Sequence, residues 1–232
     1  MPDVIVIGGG LHGCSAALHL ARRGATVTVI EKDHVARHAS GVNAGGVRRL
    51  GRDLAEIPLS VAAMELWHAI ADLVDDDCRF ERSGQIRVAE NEAELGELSA
   101  RVDQVRALGF THEELIDRDV MRAVVPAIAD HCVGAIYCRD DGAANPYRTT
   151  LAFKRKAEAM GVHFREGEAV VDVTRAGPAW RVRTDRGALE AGVVINCAGA
   201  WADRIAAQLG EGVPLAVTAP MLMITAPLPP LL

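Results

Sequence analysis

Residues 3–32 constrain this 232-residue chain more than any other stretch. Val4 to Ile7 is an unbroken β-branched run, the pattern of a strand buried on both faces of a parallel sheet. Gly8-Gly9-Gly10-Leu11-His12-Gly13 follows at once. Gly8 lets the chain turn off the strand, Gly10 has no side chain to hold a pyrophosphate away, and Gly13 lets the next helix pack close to the sheet. The spacing predicts a helix from about His12 to Arg23, with Ala16, Ala17, Leu20 and Ala21 inward and Gly24 as its stop. Its N-terminus aims free N–H groups and a partial positive charge at phosphates. Val27 to Ile30 reads as a second strand. Glu31 ends it, eighteen residues after Gly13, where a carboxylate can accept hydrogen bonds from an adenosine ribose. A lone G-x-G-x-x-G is a weak signal, but here strand, helix, second strand and terminal acid accompany it, and together they point to a dinucleotide. No Arg stands near Glu31 on the same strand end, which favours an unphosphorylated ribose, hence FAD or NAD over NADP.

Half of the residues are apolar and 24% are charged, an ordinary globular balance that can build one large core or two small ones. The net charge of −6, without any basic block, argues against a nucleic-acid partner. A strand beginning by residue 3 leaves no room for a signal or transit peptide. The five cysteines are scattered and form no C-x-x-C pair, so neither a zinc site nor a disulfide framework is expected, and a reduced, cytoplasmic setting is. Cys14 and Cys197 read as small core residues. The uncharged stretch Gly212–Leu232 is long enough to span a bilayer but carries five prolines, so strand and loop are expected rather than a transmembrane helix.

After Glu31-Lys32 comes a loop, His34 to Gly46, in which Ser40, Gly41, Asn43, Ala44, Gly45 and Gly46 cluster, with Arg48 just beyond. Small residues leave backbone N–H groups reachable, Ser40 and Asn43 add donors, and Arg48 adds a fixed charge. NAD does not require such a loop; a larger cofactor that extends past the first turn would use it. Ala55 to Val74 is expected as one helix, with Met64 and Trp67 in the core. Phe80 to Ala89 reads as a hairpin turning at Ser83-Gly84. Asn91 to Leu108 reads as an amphipathic helix capped by Asn91, its charges a solvated face, and ended by Gly109. A short helix over Asp117–Val124, a strand over Val133–Tyr137 and an Asn145-capped helix over Pro146–Met160 follow. Arg139 to Arg148 reads as a plain chain reversal. Short strands are expected over 161–165, 169–173 and 180–184. Gly192 to Ala202, an apolar strand ending in small residues, and a helix from about Ala202 to Leu209 then repeat a strand–glycine–helix unit, which predicts a nucleotide domain interrupted by another domain.

Three stretches together resemble the FAD-dependent D-amino-acid-oxidase-like superfamily: Val4 to Lys32, Ala39-Ser40 to Arg48, and Asp141-Gly142 through Ala198-Gly199-Ala200-Trp201. The run Asn43-Ala-Gly-Gly-Val-Arg48 with Glu56-Ile-Pro-Leu59 is most similar to its glycine/sarcosine oxidase and opine oxidase subunit branch. The resemblance implies an α/β fold in which a Rossmann-like FAD-binding domain is interleaved with an α+β substrate domain. FAD-binding segments are expected over 1–75 and 143–211, and a partial substrate domain over 76–142 and 212–232. The implied cofactor contacts are Gly8, Gly10, Leu11, His12, Gly13, Glu31, Lys32, Ser40, Asn43, Ala44, Gly45, Gly46, Val170, Ala198, Gly199 and Trp201. Val170 would hold adenine by its backbone, and Arg48 would fall beside the flavin, as the one candidate for a catalytic role. Family members continue well beyond residue 232, and Met221 to Pro230 resembles an internal strand and turn, so the chain is expected to be the N-terminal part of an oxidase.

The resemblance implies an FAD-dependent oxidoreductase that removes a hydride equivalent from the carbon next to the nitrogen of an amine or amino acid. No residue is an obvious general base; His38 is the nearest in sequence. Two other readings stand beside it. One is an NAD-dependent dehydrogenase with the same first motif. The other is a truncated or non-catalytic flavoprotein, or one subunit of a heteromeric oxidase.

Overall fold

The computed structural model describes residues 1–216, 218, 221 and 222. The chain opens with β1 (Val4–Ile7), α1 (Leu11–Ala21) and β2 (Val27–Glu31), then β3 (Gly46–Val47), α2 (Ile57–His68) and α3 (Ile70–Val74). Next come β4 (Gln85–Ala89), α4 (Glu92–Ala107), β5 (Glu114–Asp117), α5 (Arg118–Val124), β6 (Gly134–Cys138) and β7 (Gly142–Ala143). It continues through α6 (Pro146–Ala159), β8 (His163–Glu166), β9 (Val170–Ala176), β10 (Ala179–Thr184), β11 (Gly187–Ala191), β12 (Val193–Asn196) and α7 (Ala202–Ala207). The residues group into two compact units, each drawn from separated stretches of sequence.

The first unit comprises 1–44, 70–78 and 145–222. Its centre is a four-stranded sheet in the order β12-β1-β2-β8, and every pairing in it is parallel. The β-branched run of β1 earns its burial on both faces. Ile5 and Ile7 join Ile30, Val173, Val182, Ala191 and Ile205 in one core, where the antiparallel sheet β11-β10-β9 and α7 cover that side. Gly13 of α1 lies against Val6 on the other side, and α6 packs on α1. The buried face of α1 is Gly13, Cys14, Ala17 and Leu18. Ala16, Leu20 and Ala21, expected inward, are only half buried, because the helix begins one residue early and is turned so that Gly13 meets the sheet. Asn145 caps α6 by accepting from the Arg148 amide at 2.8 Å, as the sequence predicts.

Among the described residues, the second unit comprises 45–69 and 79–144. Its sheet, β4-β6-β5, is antiparallel. Successive β6 residues face opposite cores: Ile136 and Cys138 pack with Leu98 and Val102 of α4, and Ala135 packs with Met121 of α5. The expected hairpin over Phe80–Ala89 does not form. Instead Glu81 pairs with Ala143 and Gln85 with Cys138, so this segment runs as one kinked strand beside β6 and β7. Gly84, at φ +77 with its amide donating to the Asp141 carbonyl, absorbs the kink that was read as a turn. Ala55–Val74 is likewise not one helix: it breaks at Ala69 into α2 and α3, after a 3₁₀ turn over Leu54–Glu56. Met64 is buried with Trp67 against it, as expected.

Asp141 is the structural surprise of the second unit. The segment around it read as a plain reversal, yet its carboxylate is fully buried. It accepts from the Arg49 amide (2.7 Å), the Leu50 amide (2.8 Å) and the Arg49 Nε (3.0 Å). The charges of α4 are not all solvated either. Arg101 makes two 2.9 Å bonds to the buried Glu113, which also accepts from the Gly51 amide. Among the described residues no helix is long and apolar enough to cross a membrane. The strand and turn expected within Met221–Pro230 lie almost wholly outside the described residues.

Candidate functional site

The glycine turn is built by close approaches that side chains would forbid. Gly8 has φ +110, and a Cβ there would stand 2.3 Å from the Cys197 carbonyl oxygen. A Cβ on Gly13 would stand 1.9 Å from the Gly8 carbonyl oxygen. At Gly10 the nearest atom to a Cβ is the Ser40 hydroxyl, at 2.9 Å. That hydroxyl also accepts from the Leu11 amide at 2.9 Å. The first bond of α1 runs from the Cys14 amide to the Gly10 carbonyl, so the amides before it have no acceptor within the helix. Ser40 takes one of them and leaves the rest of the positive helix end for an anion.

Glu31 does more than the sequence suggests. It is 7% exposed, and its Oε2 accepts from the Gly9 amide at 2.7 Å while Oε1 accepts from the Asp33 amide at 2.9 Å. Each carboxylate oxygen keeps a second lone pair for a ligand. The acid therefore ties the glycine turn to the end of β2, and removing it would loosen the turn as well as a ribose contact. Glu31, Asp33 and His38 offer donor atoms within 4.8 Å of one another. Their hydrogen bonds to each other and to the turn account for that grouping.

A cavity of about 850 Å³ opens over this turn within the first unit. Gly8, Gly10, His12, Glu31, Lys32, Ser40, Asn43, Ala44, Val170, Ala198, Gly199 and Trp201 all line it. The two walls of the cavity come from stretches more than 120 residues apart in the sequence. Leu11 and Gly13 stand behind the lining: one is capped by Ser40 and the other is packed on Gly8. Gly45, Gly46 and Arg48 fall in the second unit. There the Gly45 carbonyl accepts from the Ala144 amide, Gly46 pairs with Ala143 in β3–β7, and Arg48 donates to the Leu50 carbonyl.

Several lining residues escaped the sequence reading. Cys197 was taken for core, but it is half buried and borders the cavity. Burial raises its thiol above the usual cysteine value, and pushes that of Cys14 up to about 12, so neither is a ready nucleophile. Arg37, Glu168, Arg204 and Gln208 also line the cavity. Arg37 follows the end of β2, Glu168 that of β8, and Arg204 and Gln208 that of β12; proximity to a strand end was their only signal in the sequence. Glu168 is engaged with the Thr184 hydroxyl (2.5 Å) and Arg165 (2.6 Å). His38, the nearest candidate base, has Nε2 2.7 Å from Asp33, and that hydrogen bond holds the Asp33 carboxyl below the usual range.

A family model described as FAD dependent oxidoreductase (DAO) matches residues 3–232. A glycerol 3-phosphate dehydrogenase from Caloramator mitchellensis is 27% identical over 211 residues, covering 88% of this chain and 43% of its own. A 4-methylaminobutanoate oxidase (formaldehyde-forming) from Paenarthrobacter nicotinovorans is 29% identical over 213 residues, 91% of this chain and 26% of its own. The crystal structure of glycine oxidase from Geobacillus kaustophilus matches with a TM-score of 0.84 at 25% identity, covering 90% of this chain and 58% of that one. The chain therefore spans less than two thirds of the length of each of these relatives.

Proposed function

This chain belongs to the FAD dependent oxidoreductase (DAO) family, and from that premise we propose that it binds FAD over the glycine turn and serves the oxidation of a C–N bond in an amino acid or secondary amine. One observation carries the cofactor reading: the cavity is formed by a turn whose atoms leave no room for a side chain at Gly8, beside a helix end of which Ser40 takes one amide and a preorganised Glu31. The helix end would hold the diphosphate, Ser40 would keep the first turn in shape, and Glu31 would accept from the ribose. At about 850 Å³ the cavity lies in the range of pockets that bury small-molecule cofactors. When bound, FAD supplies the acceptor for the hydride equivalent; the chain supplies binding, orientation and electrostatics. The amine class rests on two of the relatives, a glycine oxidase and a 4-methylaminobutanoate oxidase. The five free thiols suit a reducing, cytoplasmic setting.

A second reading is a flavin-binding piece or subunit without turnover of its own; the chain spans less than two thirds of the length of the relatives it matches. One experiment separates the two. The purified chain, supplied with FAD, is expected to show bound-flavin absorbance bands, and glycine, sarcosine or 4-methylaminobutanoate added without oxygen should bleach them. Bound flavin that no amine bleaches selects the second reading. A chain that takes up no flavin refutes both.

A further inference from the structure

In the parallel sheet β1 lies between β12 and β2. The segments leaving those two strands therefore stand on opposite sides of the glycine turn, about 10 Å apart by the spacing of neighbouring strands. They nevertheless meet. The Lys32 ammonium, just after β2, sits 3.2 Å from the centroid of the Trp201 indole, just after β12. The His38 ring packs on the same indole, centroids 4.9 Å apart at 60°. His38 is itself held by Asp33 at 2.7 Å. Lys32, His38 and Trp201 all line the cavity. None of them belongs to the hydrophobic core beneath it, and Lys32 is exposed.

We propose that Lys32, Trp201 and His38 form a strap across the cavity that sets how fast a dinucleotide leaves it. The inference rests on the nucleotide reading above and deepens it. A ligand seated on the glycine turn lies beneath the contact, so release requires the indole and the ammonium to part. The bound anion also gives Lys32 a second attraction on the same side, which reinforces the closed arrangement. The three are positioning residues: they act on retention and leave the chemistry to the cofactor. His38 is thereby assigned a bracing role, consistent with its Nε2 being committed to Asp33.

A cation–π contact at a partly exposed site corresponds to about a 2- to 5-fold change in a rate. The test is FAD release from the loaded chain, followed by recovery of flavin fluorescence on dilution, with ADP affinity measured by titration calorimetry. Lys32→Met and Trp201→Leu should each release FAD about 2- to 5-fold faster, with the melting temperature of the cofactor-free protein lowered by no more than about 4 °C. The double variant should release no faster than the faster single variant, because both remove one contact. Lys32→Arg and Trp201→Phe should restore slow release. Multiplicative effects of the two single variants, failure of the conservative replacements to rescue, or wild-type release rates would each overturn the strap. A wild-type chain that takes up neither FAD nor ADP would overturn the nucleotide reading itself, and so is told apart from failure of the strap alone.

Discussion

Gly13→Ala is the most direct probe of how the site is built. Helix α1 meets the turn so closely that an added Cβ would lie 1.9 Å from the Gly8 carbonyl oxygen. Real Cβ atoms essentially never come within 3.0 Å of a heavy atom outside their own and adjoining residues, so one partner must retreat by about 1 Å. The obstacle is backbone, and Gly8 is itself fixed by a 2.8 Å bond from its amide to the Ile30 carbonyl and by the Cys197 carbonyl on its other flank. No side-chain rotation relieves it, which places the cost at the top of the overpacking range, about 3 kcal/mol. That is roughly a hundredfold in the folded-to-unfolded ratio. Gly10→Ala is the control. Gly10 has φ −75, and its Cβ would meet only the Ser40 hydroxyl, which can rotate away at the loss of its bond from the Leu11 amide, about 1 kcal/mol. Urea unfolding of the cofactor-free proteins, with circular dichroism and tryptophan fluorescence required to coincide, measures both. A Gly13→Ala variant within about 0.5 kcal/mol of wild type, or a Gly10→Ala variant that costs as much, would refute the close-approach reasoning.

Three further outcomes are expected. Asp141→Ala should destabilise by about 3–5 kcal/mol in urea unfolding, because it strands two backbone amides and the Arg49 guanidinium in a buried position; a cost under about 1 kcal/mol would contradict it. Burial pushes the Glu166 carboxyl up, but the Lys154 ammonium at 2.5 Å and the Val35 amide more than offset this and hold it below the ordinary value of 4.5. Its stabilisation is therefore present above pH 4.5 and is lost as pH falls through the depressed value. Lys154→Met should shrink that acid-side loss of thermal stability, and an unchanged profile would count against the pair. Asn91→Ala should cost about 1 kcal/mol, since Asn91 accepts from the Glu94 amide at 3.0 Å as the cap of α4; a neutral result in thermal unfolding would rule the cap out.

What the sequence revealed follows from how local each signal is. The run Val4–Glu31 was legible because strand, turn, helix and strand are consecutive, so each residue's partner type is implied by its spacing. The caps Asn91 and Asn145 were legible for the same reason. Gly84 was misread because Ser-Gly is an equally good turn signal and kink signal, and only a partner strand more than fifty residues away decides between them. Asp141 was misread because a buried acid and a turn acid look identical until Arg49 and Leu50 are placed beside it. The second role of Glu31, as acceptor for the Gly9 amide, depends on side-chain direction, which spacing alone does not give.

The position of β1 has a consequence for synthesis on the ribosome. Its partner β2 emerges some twenty residues later, but its other partner, β12, begins at Val193, and Gly8 is flanked by the carbonyl of Cys197. Pairing at such long range is slow and comes late, because the intervening loop must be closed before any contact rewards it. The nascent protein thus carries an unfinished cleft until about two hundred residues have left the exit tunnel. The coenzyme site proposed above therefore cannot be complete before β12 is made, and any nonsense mutation upstream of β12 removes one wall of the cleft while sparing the glycine motif itself.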